Sequence, residues 1–507
     1  MAIGGLDIGS SGAKITVVSR DGATLHTGYR TYSASQHIET HEIDAASLWQ
    51  AVQQLLCEAA KQVPDMIGLG ITSFGESFVL CGQDGEPLLP VMMYTDPRGS
   101  EQSHQLTATL GAERIYEISG CTPHPMYSLP KFMWIKQHQP VIYAKAKYCF
   151  LIGDYILYKL TGRRCIDYSL AARTMALDIR TLTWSGDLLD AAGIDASLFS
   201  ELVPSGAEAG TIDPSLAAEL GLPKHLRIVL CGHDQVAAAV GSNCMTPGSS
   251  ANGAGTVECV TPIFQGVPTN PAMRRGHYSI VPFVKPGLYC TYSFSFTAGS
   301  LMRWVLSHLA KQEAQQAAAR GISVFEQLES EANDEPSGIL LLPHFAGAAT
   351  PYMDTGSKGA ILGLELTHTL GDLYRAAMEG IVYEMKMNLD TLAEGGVRVV
   401  SLNASGGGAK SRRWLQMKAD ILGLPVTKLS LDEAGTVGGI MMTGAATGQY
   451  NSLEHAAQTL VRPLETYIPR PAMHEKYAVH YRRYRNVYNT VRPLFTESRW
   501  TKRKKGV

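Results

Sequence analysis

Near the start of the 507-residue chain, Asp7-Ile8-Gly9-Ser10-Ser11-Gly12 constrains the fold more than any other stretch. Apolar residues 2–7 precede the glycine cluster, residues 13–19 follow it, and Asp21-Gly22 closes the second run. That order predicts strand, glycine turn, strand and hairpin turn, so a β-meander opens the protein. It also places the Asp7 carboxylate at the end of a buried strand, beside a turn whose backbone N–H groups and hydroxyls suit a phosphate. Asp7 fits a Mg²⁺ ion, directly or through water, and Lys14 fits the charge of a phosphate. An ordinary glycine-rich hairpin fits the same residues.

Strand and helix then alternate. Apolar residues at 48, 52, 55, 56 and 59 predict a helix over 47–61, and 66–72 reads as a buried strand. Residues 227–232 read as another strand and 235–240 as the opening of a buried helix, which sets His233 and Asp234 at a strand-to-helix corner. After Thr246-Pro247-Gly248 the pattern restarts: 249–255 reads as a glycine turn, 256–263 as a strand, and 397–402 as a strand leading into Gly406-Gly407-Gly408. The expectation is an internal duplication: two similar α/β lobes, 1–245 and 246–455, with 456–507 a helical extension ending in the basic tail Lys502-Arg503-Lys504-Lys505. That terminal stretch reads as a solvated face.

Composition narrows the function classes. Hydrophobic residues at 45% and charged residues at 18% place the chain in the globular range. Lys+Arg number 44 against Asp+Glu 46, so no basic field exists to collect nucleic acid. Apolar stretches such as 338–343 fall far short of the roughly 20 residues that cross a bilayer, so no membrane partner is expected. Nine widely scattered cysteines with no C-x-x-C pair argue against a disulfide framework and a zinc knuckle, and the expected compartment is cytoplasmic. No Lys follows a Gly, which removes the P-loop signature, and neither G-x-S-x-G nor H-E-x-x-H occurs.

Two further glycine clusters suit a nucleotide. Asn252-Gly253-Ala254-Gly255-Thr256 has the character of the first turn and opens the second lobe, so the two turns would face each other across a cleft. Ser405-Gly406-Gly407-Gly408-Ala409-Lys410-Ser411 joins a strand to an amphipathic helix over 412–422, and its glycines let backbone approach a purine or phosphate. A plain linker before a helix fits too. Asp234 sits where open α/β sheets present ligand-contacting groups, as a helix cap or as a base that takes a hydroxyl proton. Gly75-Glu76 and Tyr94-Thr95-Asp96-Pro97-Arg98 supply loop groups able to grip a polyol, or to form turns and ion pairs.

The order of these pieces, with Asp154-Tyr155, Leu160-Thr161-Gly162, Asp167-Tyr168-Ser169, Arg173-Thr174, Gly232-His233-Asp234-Gln235 and Trp414-Leu415-Gln416, resembles the FGGY carbohydrate kinases from residue 2 to about 450. The resemblance implies two ribonuclease-H-like lobes of the actin, Hsp70 and sugar-kinase superfamily, with ATP, Mg²⁺ and a small sugar or polyol meeting between them. It implies Asp234 as general base and Asp7 as metal-associated carboxylate. Ser10, Ser11, Gly12 and Lys14 would form the first phosphate loop and Gly255 and Thr256 the second. Gly299 and Arg303 would line the nucleotide site, and Gly407, Gly408 and Arg412 would flank the adenosine. Glu76, Tyr94, Asp96, Asp234 and Gln235 would lie on the sugar side. A homodimer is the expected assembly.

Gly75-Glu76 stands where glycerol kinases carry an Arg-Glu pair, which disfavours glycerol by removing a guanidinium. Gly75-Glu76-Ser77-Phe78 also departs from the Gly-Gln-Met-His of xylulose kinases, whereas residues 167–169 and 173–174 look like the xylulose and gluconate kinase branch. A ketose such as xylulose comes first. Another polyol, a deoxyketose or a sugar acid such as gluconate follows, and a non-catalytic sugar or nucleotide sensor is the reading from another class.

Overall fold

The computed structural model describes residues 1–37, 40–331, 334–431 and 433–496. The basic tail at 502–505 lies outside the described residues. The opening meander forms as expected: β1 (Ala2–Ile8) runs antiparallel to β2 (Gly12–Ser19), which pairs with β3 (Thr24–Thr31). On the other side of β1 lies parallel β4 (Met66–Ser73), and β5 (Glu208–Thr211) and β6 (Arg227–His233) complete a sheet of order β5-β6-β4-β1-β2-β3. Helix α1 (Ala45–Gln62) covers β2 and β3. It starts where the Asp44 carboxylate accepts the amides of Ala46 and Ser47, and it buries Leu48, Val52, Leu55, Leu56 and Ala59. Each buried leucine or valine contributes about 1.5–3 kcal/mol.

The second lobe repeats the plan. Its central strand β7 (Ser249–Ala254) is antiparallel to β8 (Glu258–Gln265), which pairs with β9 (Leu288–Cys290). Beyond β7 come parallel β10 (Ser401–Ser405), parallel β11 (Val426–Leu429) and antiparallel β12 (Pro463–Tyr467). The short strands Val281–Pro282 and Ser293–Ser295 add to the β9 and β8 side. The sense of pairing from β9 to β12 is the sense from β3 to β5, which is the topological trace of a duplication.

Two expectations need correction. Residues 249–255 are not a glycine turn: 249–254 form β7, and the turn begins at Gly255. Small residues here mark a strand crowded on both sides, since β7 is hydrogen-bonded to β8 and β10 at once. Nor is the extension from 456 helical throughout, and the helix within 477–507, read as a solvated face, buries one side. β12 is a strand of the second sheet; helix α3 (Gly299–His308) packs on helix α4 (Leu370–Glu394), and the closing helices cover α4 and helix α5 (Arg412–Leu422). Of those closing helices, Pro471–Tyr484 packs on α5 and buries Tyr477, Tyr481 and Tyr484, whose hydroxyls meet Arg375, Asp390 and Glu384 of α4. Tyrosines at i, i+4 and i+7 are an apolar stripe with polar tips.

The lobes meet along two helices. Asp234–Gly241, which follows β6, packs against Ala434–Ala446, and the latter also lies on β1, β4 and β6 of the first sheet. A Cβ on Gly241 would land on the Ala434 carbonyl, and one on Gly438 on the Ala237 carbonyl, so the backbones touch directly. Among the described residues no helix is long and apolar enough to cross a membrane, and all nine cysteines are free.

Candidate active site

Asp7 is the second-last residue of β1, in register with Lys14 on β2 and Thr72 on β4. Its carboxylate lies against Gly435, where a Cβ would stand 2.7 Å from Oδ2. Oδ1 is buried and has no hydrogen-bond partner. Burial pushes the carboxyl up to about 6; Lys14 pulls it down and Glu433 pushes it further up. The turn after β1 is tied by the Gly9 amide donating to the Gly12 carbonyl and by the Tyr32 hydroxyl donating to the Gly9 carbonyl. Ser10 and Ser11 occupy its outer edge, and Ser10 lies beside Tyr94. Lys14 is held by both oxygens of Glu433 at 2.8 and 2.9 Å.

Asp234 opens its helix but does not cap it. The cap is His233, whose Nδ1 accepts the Gln235 amide, so the Asp234 carboxylate is spared that duty. The corner is fastened from behind: the Ser169 hydroxyl accepts the His233 amide, and Asp167 Oδ1 accepts from Ser169 and from the Ser205 hydroxyl. The Asp167-Tyr168-Ser169 motif therefore holds the position of Asp234. Burial, then the charges of Asp7 and Glu76, push the Asp234 carboxyl up to about 8, while Gln235 pulls it down. Asp7 and Asp234 stand at the same edge of the sheet, because β4 pairs Thr72 with Asp7 and Ser73 with His233. His233 is kept neutral by burial and by Arg173, and its ring stacks on Tyr292 at 5.0 Å.

Glu76 sits in the left-handed region at φ 61. Its carbonyl accepts the Ser128 hydroxyl, and its Oε1 accepts Nε and Nη2 of Arg173. A Cβ at Gly75 would meet Arg173 Cγ and His233 Cδ2 at 2.8 Å each. The guanidinium that the Gly75-Glu76 pair had seemed to remove therefore arrives from residue 173, into the room Gly75 leaves. The Tyr94 hydroxyl is pushed up by burial and then by Glu76, with a smaller contribution from Asp234, which places it in the same group. Asp96 differs. Its Oδ1 accepts the Arg98 amide and Nε, its Oδ2 accepts the His41 amide and Arg98 Nη2, and it is buried. Those bonds occupy both oxygens in fastening the loop.

The second lobe gathers its own group. The amides of Ala298 and Ser300 donate to the Thr256 carbonyl, the Gly299 amide donates to the Gly255 carbonyl, and Arg303 Nη2 donates to Thr256 Oγ1 at 3.3 Å. Helix α3 thus begins on the turn at Gly255, Thr256. Gly406 and Gly408 abut Ala254, with prospective Cβ contacts of 2.8 Å, while Gly407 stands open. Arg412 is not brought to this group: its side chain is 75% exposed and forks onto Glu465 of β12. Beneath lies a charged network that sequence reasoning missed. Lys418, fully buried on α5, donates to Glu258 Oε1 at 2.5 Å and Asn252 Oδ1 at 2.8 Å, and its ammonium lies over Trp414 at 4.8 Å. A lysine on the buried period of residues 414, 415, 418 and 422 was the available signal. Tyr292 and Glu433 gave none.

The FGGY family of carbohydrate kinases matches along both lobes, its N-terminal domain over residues 2–241 and its C-terminal domain over 251–447. The chain belongs to the FGGY family of carbohydrate kinases. This FGGY kinase is 26% identical over 497 residues to a xylulose kinase of Bacillus subtilis (strain 168), covering 97% of each chain. It is 28% identical over 468 residues to a gluconokinase of Bacillus licheniformis, covering 89% of this chain and 88% of that one. The solved xylulose kinase of Rhodospirillum rubrum superposes with a TM-score of 0.88 at 26% identity, covering 98% of this FGGY kinase and all of the other. It is a carbohydrate kinase of the xylulose and gluconate kinase type, from a family of sugar kinases that use ATP.

Proposed function

We propose that this FGGY kinase transfers the γ-phosphoryl group of ATP to a hydroxyl of a small sugar, with Asp234 as general base and Asp7 as metal-associated carboxylate. The observation that carries the reading is that Asp7 and Asp234 stand at the same edge of the first sheet, each with a buried oxygen that lacks a hydrogen-bond partner among the described residues. Asp234, with its carboxyl pushed up to about 8, binds a proton readily near neutral pH, as an acceptor for a sugar hydroxyl proton requires. Glu76 and Tyr94 hold further sugar hydroxyls beside it, and Gln235 orients the Asp234 carboxylate. Asp96 supports the sugar side through its loop.

Asp7 fits a divalent cation. Its free Oδ1 is the donor, and among the described residues no cluster of three or more His, Cys, Asp or Glu forms a metal cage, which suits an ion that takes its other ligands from phosphate and water. Mg²⁺ held there would neutralise charge on the phosphate oxygens. The Ser10, Ser11, Gly12 turn and the Gly255, Thr256 turn offer N–H and O–H donors to those oxygens, and Lys14 exchanges Glu433 for them. Gly299, Arg303, Gly407 and Gly408 seat the rest of the nucleotide, while Arg412 stays on Glu465. Positioning of this kind supplies most of the catalysis in phosphoryl transfer.

A coupled ADP-release assay over ketoses including xylulose, alditols and aldonic acids tests the reading. ADP formation with at least one acceptor is expected, and Asp234→Asn should lower it by about 10²–10⁴-fold with ATP binding kept. Binding of sugar and nucleotide without ADP formation would instead make the protein a sensor.

A further inference from the structure

Beside Glu76 lies a small cavity lined by His124, Tyr127, Arg173, His277, Ser279 and Tyr292 among others. Its wall adjoins the site: the His233 ring stacks on Tyr292, and Arg173 forks onto Glu76. Two of its polar groups are buried and, among the described residues, lack hydrogen-bond partners. Arg173 spends Nε and Nη2 on Glu76, and Nη1 has none. The Tyr292 hydroxyl has none either. The guanidinium is clamped between the rings of Tyr127 and Tyr292, each 5.2 Å away, so Nη1 cannot swing elsewhere.

The rest of the lining is rich in donors. His124 Nδ1 accepts the Met126 amide, which leaves Nε2 as the N–H of the neutral ring. Burial and the charge of Lys131 hold that ring down to about 4, so it is neutral at pH 7. No aspartate or glutamate lines the cavity. An unsatisfied buried donor costs about 1–3 kcal/mol, so two such donors, one of them on a cationic guanidinium, call for a ligand with acceptor oxygens.

Resting on the kinase reading above, we propose that this cavity is the acidic-end subsite of the acceptor: Arg173 Nη1, the Tyr292 hydroxyl and His124 Nε2 bind the carboxylate of a sugar acid whose far hydroxyl reaches Asp234. The site is then polarised along its length, with donors at Arg173 and acceptors at Asp7, Asp234 and Glu76. An aldonate matches that polarity, and an alditol of equal length lacks the carboxylate. Arg173 acts here as a specificity residue.

The test pairs acceptors of one carbon skeleton, gluconate with glucitol and xylonate with xylitol, and adds xylulose. The wild-type protein should show kcat/KM for the acid at least about tenfold above its alditol, the worth of one hydrogen bond to a charged group. Tyr292→Phe, which removes one oxygen and no packing, should cut the acid-to-alditol ratio about tenfold, mainly through KM. Arg173→Lys, which keeps charge but loses the fork, should do the same. A ratio near one, a preference for xylulose, or a ratio untouched by both variants overturns the subsite and leaves the kinase intact. If no acceptor yields ADP the kinase reading falls, and calorimetric titration with gluconate decides the subsite alone: binding weakened by Tyr292→Phe supports it, and no binding refutes it.

Discussion

Replacing Asp234 by Asn should destroy turnover and yet make the protein harder to melt. In the unfolded chain this carboxyl ionises near 3.8, whereas in the fold it is pushed up to about 8 by burial and by Asp7 and Glu76. The fold therefore resists the charge. Stability from this group is complete below about pH 4 and is lost as pH rises from there towards 8. At 1.36 kcal/mol per pKa unit the ceiling of the loss is about 6 kcal/mol. The side chain is 27% exposed, so water screens part of it, and about 2 kcal/mol is the expected gain for the neutral amide at pH 8. Thermal melts of both proteins from pH 4.5 to 8 (assay conditions, roughly half-unit steps) read it out. The advantage of Asp234→Asn should be smallest at the acid end and widen with pH, while ADP release falls about 10²–10⁴-fold. A variant that melts lower throughout, or by a pH-independent amount, would refute the placement of Asp234 as a carboxylate held against its own ionisation.

In the free enzyme kcat/KM should rise about tenfold per pH unit below about 8 as Asp234 sheds its proton, and a flat profile between 6 and 8 would remove it as base. Lys418→Met leaves Glu258 buried and unpaired, which should cost about 3–5 kcal/mol by chemical denaturation and raise the KM for ATP because the Gly255 turn loses its anchor to α5. Asp96→Ala should lower the melting temperature through loss of its four accepted hydrogen bonds, and the stability loss should exceed any change in kcat. Gly241→Ala would drive a methyl into the Ala434 carbonyl, so folding yield should drop and the lobes should scatter X-rays as a more open pair.

Much of the first lobe was readable because its residues obey local rules. The run at 2–7, the glycine turn, helix 45–62 and the strand-to-helix corner at 233 and 234 are each fixed by periodicity and punctuation within about 20 residues. Asp7 and Asp234 were found as ends of strands. What escaped depended on partners far away in the chain. β7 is built of small polar residues that signal a turn until two neighbouring strands crowd it. Arg173 was noticed only as a family mark, since nothing local says that its guanidinium will reach Glu76, 97 residues earlier. The closing tyrosines were hidden among arginines and lysines, and their stripe appears only once every fourth residue is counted. Asp96 and Arg412 looked like ligand contacts because a sequence does not show that Arg98 and Glu465 already hold them.

The helices that cross at Gly241 and Gly438 also decide how this molecule can move. With backbone pressed on backbone, the crossing has no side-chain cushion to slide through, so any motion of one lobe on the other would turn about it, as a door turns on a pin. Asp234 begins one of those helices, and Glu433, the partner of Lys14, immediately precedes the other. Rotation about such an axis carries the distant nucleotide turns along an arc, while the proton acceptor, mounted beside the pin, stays nearly still.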